Sequence, residues 1–271
     1  MSEEQAPATF VVGDVHGHRE PLADALRDRG LIDAAGEWAG GRAHLWFLGD
    51  FVDRGPDGIG VIDLVMRLQE QAVEAGGTVQ TLLGNHEILL LGMRRFGDTE
   101  VPSGAGYRSF ARSWILNGGQ IGDLDGLTGE HIDWLSTRPL IALAEKHLLL
   151  HSDTLEYFEW GAGVEDINSA VHGVLGSDDL AEWWEVWRRM TTRYAFRGPY
   201  GPEVADMVLE RLGGTRIVHG HSVIADQVGR HPMDIEGPHL YAGGKVLGID
   251  AGLFVGGPCL VVELPFDPES W

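Results

Sequence analysis

The chain has 271 residues and a formal net charge of −21, because 41 Asp and Glu residues outnumber 20 Lys and Arg residues. A surface this acidic repels phosphate backbones, so we expect no nucleic-acid partner and no anionic membrane partner. The composition also excludes a disordered acidic tail, since 44% of the residues are hydrophobic and 9 are Trp. The single cysteine, Cys259, excludes an internal disulfide framework and a cysteine-rich metal site.

Targeting and membrane signals are not visible in the sequence. Residues 1–8 are polar, whereas a signal peptide needs an apolar central region. The longest uncharged stretch near the C-terminus, 251–262, has 12 residues. A membrane span needs about 20 apolar residues. We therefore expect a soluble, cytoplasmic protein.

Short apolar runs of four to six residues recur along the chain, and each ends at a cluster of Gly, Asp, His or Asn. Runs of this length with glycine at the boundary are typical of buried strands. The predicted strands comprise residues 9–12, 44–48, 78–83, 146–150 and 215–218. Two later runs, 245–249 and 259–264, predict a closing pair of strands joined by a glycine-rich turn.

The segments between the first three predicted strands have a helical spacing of apolar residues. Leu22, Ala25 and Leu26 stand at i, i+3 and i+4, and the same spacing recurs over residues 59–69. Asp57 is a candidate N-cap of the second helix. This alternation of strand and helix predicts βαβ units and an α/β protein with layered sheets.

Two segments, near residues 90–140 and 164–213, interrupt the alternation with helix-like pieces that contain tryptophan. In the second segment, Trp183, Trp184 and Trp187 fall at i, i+1 and i+4, which predicts a packed helix face rather than a cofactor platform. The sequence has no internal repeat or linker that would mark a domain boundary. We therefore expect a single domain, residues 1–271, whose two helical insertions shape one rim of a site.

Potential metal ligands follow five of the predicted strands, and each of these strands has at least one ligand within three residues of its C-terminal end. These ligands are Asp14, His16, Asp50, Asn85, His151 and His221. The functional crevice of an open α/β sheet lies outside the carboxyl ends of its strands, so the side chains can converge there. A single Gly-Asp after a strand is usually only a turn. Five coincident instances indicate a shared metal site.

Carboxylate, amide and imidazole ligands without a thiolate suit Mn²⁺, Fe or Zn²⁺. Six ligands are too many for one catalytic ion that keeps an open position, and they are suitable for two. A carboxylate can bridge two ions about 3.5–4 Å apart, and such a pair stabilises the attacking and leaving oxygens of a phosphoryl displacement. We therefore expect two divalent ions, with Mn²⁺ as the first choice and Fe or Zn²⁺ as alternatives.

The ordered motifs resemble the signature of the metallophosphoesterases. They are Gly-Asp-Val-His-Gly at 13–17, Gly-Asp-Phe-Val-Asp-Arg-Gly at 49–55, Gly-Asn-His-Glu at 84–87, His151, and Gly-His-Ser at 220–222. The Asp-Arg-Gly element is similar to that of the phosphoprotein phosphatase (PPP) branch. Within it, Phe-Arg-Gly at 196–198 and Gly-Ile-Asp-Ala-Gly at 248–252 most resemble the bacterial Shewanella-like phosphatases. The resemblance implies a calcineurin-like fold, which is a layered β-sandwich of mixed sheets flanked by helices.

The resemblance also implies a role for each matching metal ligand. Asp14 and His16 would hold the first ion, and Asp50 would bridge the two ions. The second ion would be held by three residues, which are Asn85, His151 and His221.

The remaining site residues would act on the substrate. His86 directly follows Asn85 and would protonate the leaving group, with Asp53 orienting its imidazole. Arg54 and Arg197 would bind phosphate, since a guanidinium matches two phosphate oxygens. The alternatives are a turn cap for Asp53 and a surface salt bridge for Arg197.

Three positions depart from the family pattern or leave it ambiguous. Ser152 and Asp153 stand where the family usually has Gly-Gly, and we expect Asp153 to add negative charge near the rim of the site. Of the two histidines in His-Gly-His, we assign His221 to the metal and leave His219 in a supporting or purely structural role. Val223 stands where many diesterases and nucleases of the superfamily carry a further histidine, which argues against the diesterase branch.

The sequence therefore predicts a phosphomonoesterase that hydrolyses Ser, Thr or Tyr phosphate in proteins or peptides. A hydroxide bridging the two metal ions would attack phosphorus directly, without a covalent phosphoenzyme. Two alternatives keep the same centre, a symmetrical dinucleoside tetraphosphate hydrolase and a phosphatase of small metabolites. A third hypothesis is a non-catalytic binding protein on the same scaffold. The acidic exterior favours substrates that present a single phosphate on a neutral or basic carrier.

Overall fold

The structure is a computed structural model that describes residues 6–102 and 106–269. Residues 1–5, at the polar start of the chain, and 103–105, in the first predicted insertion, lie outside the described residues, as do residues 270–271. The strands are β1 (Thr9–Val12), β2 (His44–Phe47), β3 (Thr78–Thr81), β4 (Ile141–Ala144), β5 (His147–Leu150), β6 (Arg216–His219), β7 (His239–Tyr241), β8 (Val246–Gly248) and β9 (Val261–Leu264). The α-helices are α1 (Arg19–Asp28), α2 (Gly58–Glu74), α3 (Asn85–Phe96), α4 (Phe110–Leu116), α5 (Ile121–Gly126), α6 (Gly129–Ser136), α7 (Val164–Leu175), α8 (Leu180–Met190), α9 (Gly201–Leu212) and α10 (Ile224–Val228).

The strands form two mixed sheets. The first has the order β3-β2-β1-β9, in which the first three strands are parallel and β9 runs antiparallel to β1. The second has the order β4-β5-β6-β8-β7, with a parallel centre and an antiparallel strand at each edge. In each sheet, the parallel central strands direct their carboxyl ends to one edge, and ligand side chains can gather at that edge.

Alternate side chains of the strands enter two different cores. Val11 of β1, Leu149 of β5 and Val218 of β6 belong to a cluster that contains residues of both sheets. Their neighbours Val12 and Ile217 belong to the larger cluster that includes the helices. Because successive strand residues point to opposite faces, each sheet is covered on both sides. The predicted layered β-sandwich with flanking helices is therefore confirmed.

Most predicted elements form where the sequence placed them. Strands β1, β2, β5 and β6 match the predicted runs within one residue, and β3 ends at Thr81, two residues before the predicted end. The Asp57 side chain accepts a hydrogen bond from the Gly60 N–H and caps α2, as predicted.

The predicted closing pair of strands is wrong. Strand β8 lies in the second sheet between β6 and β7, whereas β9 lies in the first sheet against β1. The glycine-rich stretch that joins them crosses from one sheet to the other, because β8 pairs with β6 and β7 whereas β9 pairs with β1. Strands β4 and β7 have no counterpart among the predicted strands.

Helices occupy both segments that interrupt the strand–helix alternation. Trp183, Trp184 and Trp187 of α8 are all buried, and the Trp184 ring lies 5.4 Å from the ring of Phe110 in α4. The predicted packed helix face is therefore confirmed. The organisation as a single domain with two insertions stays a prediction. Among the described residues, no helix combines the length and the apolar character that a membrane span requires.

Candidate metal centre

The carboxyl ends of β1, β2, β5 and β6 bring loops of the two sheets together. Asp14 and His16 follow β1, Asp50 follows β2, and His151 directly follows β5. His151 Nδ1 lies 2.8 Å from the backbone oxygen of Leu48, so this histidine connects the second sheet to the first. The convergence that the strand ends predict is present.

Asp50 lies at the middle of this cluster. Its Oδ2 is 3.6 Å from His16 Nε2, and its Oδ1 is 3.4 Å from His151 Nε2. Two groups of buried side chains share Asp50, and within each group the potential ligand atoms lie within 4.8 Å of one another. The first group is Asp50, His16 and His86, and the second is Asp50, His151 and His221. A carboxylate shared by two such groups has the position that a bridging ligand requires.

Each of the other two predicted ligands contacts one histidine of the second group. Asn85 Oδ1 lies 3.0 Å from His151 Nε2. Both carboxylate oxygens of Asp14 accept hydrogen bonds from the backbone N–H of His221, each at 3.0 Å. The structure thus brings all six predicted ligands into one buried cluster.

The backbone at these residues is unusual. His16, Asp50 and His221 have φ angles of 45°, 55° and 62°, in the left-handed region that favours glycine. Such a conformation costs a non-glycine residue about 1–3 kcal/mol and persists only where the surroundings impose it. Here the backbone N–H of His16 donates to the backbone oxygen of Asp50 at 2.8 Å. The strain is concentrated at the cluster that the motifs define.

Glu87 fixes the loop that carries Asp50. Its buried carboxylate accepts hydrogen bonds from the backbone N–H groups of Asp50, Phe51 and Gly84, at 2.8, 2.7 and 2.9 Å. Burial and the Asp50 charge raise the pKa of Glu87 to about 8. Glu87 was not among the predicted site residues, although its place in the Gly-Asn-His-Glu motif was a signal.

Gly84 is required because the loops approach closely. A Cβ atom at this position would lie 2.2 Å from Asp50 Oδ1 and 2.4 Å from the Asp50 backbone nitrogen. The glycine therefore gives the Asp50 carboxylate the space that it occupies.

A second set of contacts lies beside the cluster. His86 Nδ1 is 2.7 Å from Asp53 Oδ2, and both side chains are buried. Arg54 Nη1 lies 2.9 Å from His16 Nε2, and Arg54 Nη2 lies 2.9 Å from His86 Nε2. The Arg54 guanidinium also stacks over the Phe254 ring, 4.1 Å from its centroid. A fixed positive charge and an oriented imidazole thus face the same space.

Burial favours neutral imidazoles in this centre. It lowers the pKa of His151, His16 and His221, with further contributions from the His86 charge at His16 and the His151 and Arg193 charges at His221. A neutral imidazole is the form that ligates a metal ion.

The carboxylates bring negative charge into the same buried centre. Burial, together with the charges of Asp250 and Asp50, raises the pKa of Asp14. Burial alone would raise the pKa of Asp50, but the facing histidines, His151 foremost, lower it overall. Burial also raises the pKa of Asp250 to about 6. Bound cations would offset this buried negative charge, so the donor set fits divalent ions.

The structure places Arg197 in a different environment from Arg54. Its guanidinium lies 3.6 Å from the centroid of the Tyr194 ring, and it lines a pocket of about 370 Å³ together with Gln227 and Tyr241.

Arg193, for which no role was predicted from the sequence, is exposed. Its charge is one cause of the lowered pKa of both His151 and His221, after burial. No motif singled out Arg193, so only the fold could identify it.

Asp153 is not at the rim, so this expectation is wrong. Its side chain is fully buried and accepts hydrogen bonds from the Tyr194 N–H at 2.9 Å and from the Ser222 hydroxyl. The carboxylate points into the protein because two donors from neighbouring loops require an acceptor there.

His219 is engaged away from the cluster. Its Nδ1 lies 2.8 Å from the Gly220 oxygen, and its Nε2 lies 2.8 Å from the Tyr241 hydroxyl. Both ring nitrogens therefore have partners, and His221 is the histidine that faces Asp50.

The sequence profile described as "Calcineurin-like phosphoesterase" matches residues 8–225 of the chain. The chain therefore belongs to the calcineurin-like phosphoesterase family. This finding confirms the resemblance that the motifs indicated, and the family implies divalent metal ions.

Curated relatives include two kinds of phosphatase. The symmetrical bis(5'-nucleosyl)-tetraphosphatase of Bordetella pertussis is 29% identical over 209 residues, which are 77% of this chain and 61% of that protein. Shewanella-like protein phosphatase 2 of Arabidopsis thaliana is 35% identical over 86 residues, which are 32% of this chain and 22% of that protein. The matches thus span less than two thirds of the length of either relative.

Among solved structures, the cold-active protein-tyrosine phosphatase of a psychrophilic Shewanella species has a similar fold. The TM-score is 0.72 at 23% identity, and the match covers 96% of this chain and 76% of the other. This likeness supports the fold assignment.

Proposed function

We propose that the protein is a metal-dependent phosphomonoesterase that hydrolyses Ser, Thr or Tyr phosphate in phosphoproteins or phosphopeptides. The observation that carries this proposal is Asp50, which two histidine groups share, with Arg54 and the His86–Asp53 pair directly beside it. The relatives named as protein phosphatases and the Asp-Arg-Gly motif support this substrate class.

We further propose a dinuclear centre. Asp14 and His16 would hold the first ion, and Asp50, which both histidine groups share, would be a ligand common to the two ions. Three residues, Asn85, His151 and His221, would hold the second ion. The oxygen and nitrogen donors favour Mn²⁺, with Fe or Zn²⁺ as alternatives. When bound, the two ions would supply positive charge that polarises the phosphate and lowers the pKa of nearby water.

The chain's own cations would bind and orient the phosphate. Arg54 presents a guanidinium next to Nε2 of His16 and Nε2 of His86, where it can donate to two phosphate oxygens. Arg193 supplies further positive charge near His221. Arg197 stays our second phosphate-binding assignment from the sequence, and Arg193 is a competing one.

His86 would donate a proton to the leaving oxygen. A carboxylate accepts hydrogen bonds, so the contact with Asp53 places a hydrogen on His86 Nδ1 and turns Nε2 toward the phosphate site. For this step the imidazole must carry a hydrogen on both ring nitrogens. As the bond between phosphorus and the leaving oxygen breaks, its electron pair stays on that oxygen, which takes the proton from Nε2 and leaves a neutral imidazole with its hydrogen on Nδ1. Asp53 thereby keeps the imidazole in the orientation that this step needs.

A second candidate function is symmetrical hydrolysis of dinucleoside tetraphosphates. The Bordetella pertussis relative, which matches 77% of this chain, favours it. A small phosphorylated metabolite is a third class of substrate. The net charge of −21 supports partners other than nucleic acid and disfavours highly anionic substrates. A cytoplasmic location stays a prediction.

A substrate comparison with the Mn²⁺-loaded protein tests the proposal. We expect kcat/KM for a phosphoserine, phosphothreonine or phosphotyrosine peptide to exceed that for diadenosine tetraphosphate and for small sugar phosphates. The reverse order would establish one of the alternatives. Absence of any hydrolysis, with metal bound, would instead point to a non-catalytic binding protein.

The His86→Ala variant tests the proton donor in the same assay. Loss of a general acid reduces kcat by about 10²- to 10⁴-fold for an unactivated alkyl phosphate. Bound metal, measured by elemental analysis, should stay unchanged. His172→Ala is the control, because His172 belongs to helix α7 and is not one of the site residues. Its Nε2 lies 2.9 Å from the backbone oxygen of Arg138. Full activity of the His86→Ala variant on a phosphoserine peptide would contradict the assignment.

A further inference from the structure

The turn that carries Asp53 and Arg54 is held in an unfavourable conformation. The two consecutive residues have φ angles of 66° and 65°, and neither is glycine. A left-handed conformation brings Cβ close to the following carbonyl oxygen, so surrounding contacts must impose it. The contacts that impose this conformation on the turn therefore also position the His86–Asp53 pair.

Three of these contacts come from residues 110–126, which we call the α4–α5 segment. The Trp114 indole Nε1–H donates to Asp53 Oδ1 at 2.7 Å. The backbone N–H of Asp53 donates to Asp123 Oδ2 at 2.8 Å, and the backbone N–H of Arg54 donates to the Gly118 oxygen at 2.7 Å. A single segment therefore fixes both residues of the turn.

The Trp114 contact has a particular consequence for the carboxylate of Asp53. One carboxylate oxygen accepts from Trp114 and the other from His86 Nδ1, both at 2.7 Å. Trp114 is 2% exposed and Asp53 is fully buried, so water does not compete for either oxygen. With both oxygens engaged, the carboxylate plane and the His86 ring are fixed together.

We infer that Trp114 is a positioning residue for proton donation by His86, acting through Asp53. The inference rests on the proposed phosphatase activity and extends it to a residue outside every recognised motif. It implies that the first insertion takes part in the chemistry. Without the indole N–H, the Asp53 carboxylate is free to rotate and His86 loses its fixed direction toward the leaving oxygen.

Leaving groups of different basicity separate positioning from simple structural damage. In Trp114→Phe, we expect kcat for a phosphoserine peptide to fall about tenfold, because the alkoxide needs the proton from His86. For p-nitrophenyl phosphate, we expect a loss of less than about twofold, because its phenolate leaves without a proton.

Trp183→Phe is the matched control. Trp183 is also 2% exposed, and its indole N–H also donates one hydrogen bond, to the Ser177 oxygen at 3.0 Å. We expect this variant to leave the ratio of the two kcat values unchanged. An equal loss on both substrates in Trp114→Phe, or no loss on either, would overturn the inference.

A double-mutant cycle tests the route through Asp53. If Trp114 acts through that carboxylate, adding Trp114→Phe to Asp53→Ala changes kcat for the phosphoserine peptide by less than about twofold. A further loss near tenfold in the Asp53→Ala background would show that Trp114 acts by another route, and this would also overturn the inference.

A spectroscopic measurement on the metal-free protein gives a readout that does not depend on activity. Protein labelled with ¹⁵N-tryptophan has 9 Trp residues, and the Trp114→Phe spectrum identifies the indole signal that belongs to Trp114. We expect that signal to shift upfield in Asp53→Ala, whereas the Trp183 signal keeps its position. An unchanged Trp114 signal contradicts the hydrogen bond.

Two experimental outcomes distinguish failure of the proposed function from failure of the role of Trp114. If the wild-type protein hydrolyses no phosphomonoester, the proposed function is wrong. If the wild type is active on both substrates and Trp114→Phe matches it on both, the function stands and the positioning role of Trp114 is wrong.

Discussion

Asp153 is the residue whose replacement tests the reasoning about the interior most sharply. The carboxylate is fully buried and accepts hydrogen bonds from the Tyr194 N–H at 2.9 Å and from the Ser222 hydroxyl. In Asp153→Ala both donors lose their acceptor, and the Ser222 side chain is fully buried. Hydrogen bonds to charged groups contribute about 1.5–3 kcal/mol each, so we expect the loss of both to lower the free energy of unfolding by about 3–6 kcal/mol.

Urea unfolding of the metal-free protein, followed by circular dichroism, measures this loss. Ser222→Ala removes only one of the two donors, so we expect about half the effect. Asp125→Ala is the control, because Asp125 is exposed and such surface changes usually stay within about 0.5 kcal/mol. A loss below about 1 kcal/mol in Asp153→Ala would refute the reasoning.

The same replacement has a functional consequence. Tyr194 directly follows Arg193 and has a φ of 74°. The Asp153 carboxylate accepts a hydrogen bond from the Tyr194 N–H and thereby holds the backbone of this loop. Releasing this loop moves a positive charge away from His221, so we expect KM for a phosphopeptide to rise several-fold in Asp153→Ala. An unchanged KM in a folded variant would separate Asp153 from substrate binding.

The remaining predictions concern glycines and metal binding. In Gly84→Ala the new Cβ would lie 2.2 Å from Asp50 Oδ1, so we expect weaker Mn²⁺ binding by calorimetry and a stability loss of about 1–3 kcal/mol. Gly122→Ala, with open space around its Cβ, should leave Mn²⁺ binding unchanged, and equal affinity in both variants would contradict the steric argument. Gly173→Ala, exposed within helix α7 and with open space around its Cβ, should raise the free energy of urea unfolding by about 0.5–1 kcal/mol, and a decrease would be contrary evidence. Chelation of the metal ions should lower the Tm, since Mn²⁺ at 100 times its Kd adds about 2.7 kcal/mol, and an unchanged Tm would speak against a folded-state metal site.

The strands that the sequence revealed share a strong local signal. Strands β1, β2, β5 and β6 are apolar runs that end at Gly, Asp or His, and the local sequence fixes them almost completely. Strand β7 has three half-buried residues and no such signal. The pairing of β8 and β9 with different sheets depends on contacts far apart in the chain, which no local pattern encodes.

The site residues also divide into those with a local sequence signal and those that depend on contacts far apart in the chain. The six candidate ligands and His86, which the structure brings together, could be selected from the sequence because each belongs to a motif at a strand end. The direction of a side chain is a tertiary property, so Asp153 was expected at the rim although it points inward. Trp114 lies in a segment without any motif, and only the fold shows that its indole reaches Asp53.

The central claim is a dinuclear centre whose hydrolysis of phosphomonoesters depends on both ions. Titration of the metal-free protein with Mn²⁺, followed at once by bound metal and by phosphopeptide hydrolysis, tests it most directly. We predict that activity rises with the second equivalent and saturates at about two ions per chain, because a two-metal centre stabilises both the attacking and the leaving oxygen. Saturation at one ion per chain, or full occupancy without hydrolysis, would contradict the account.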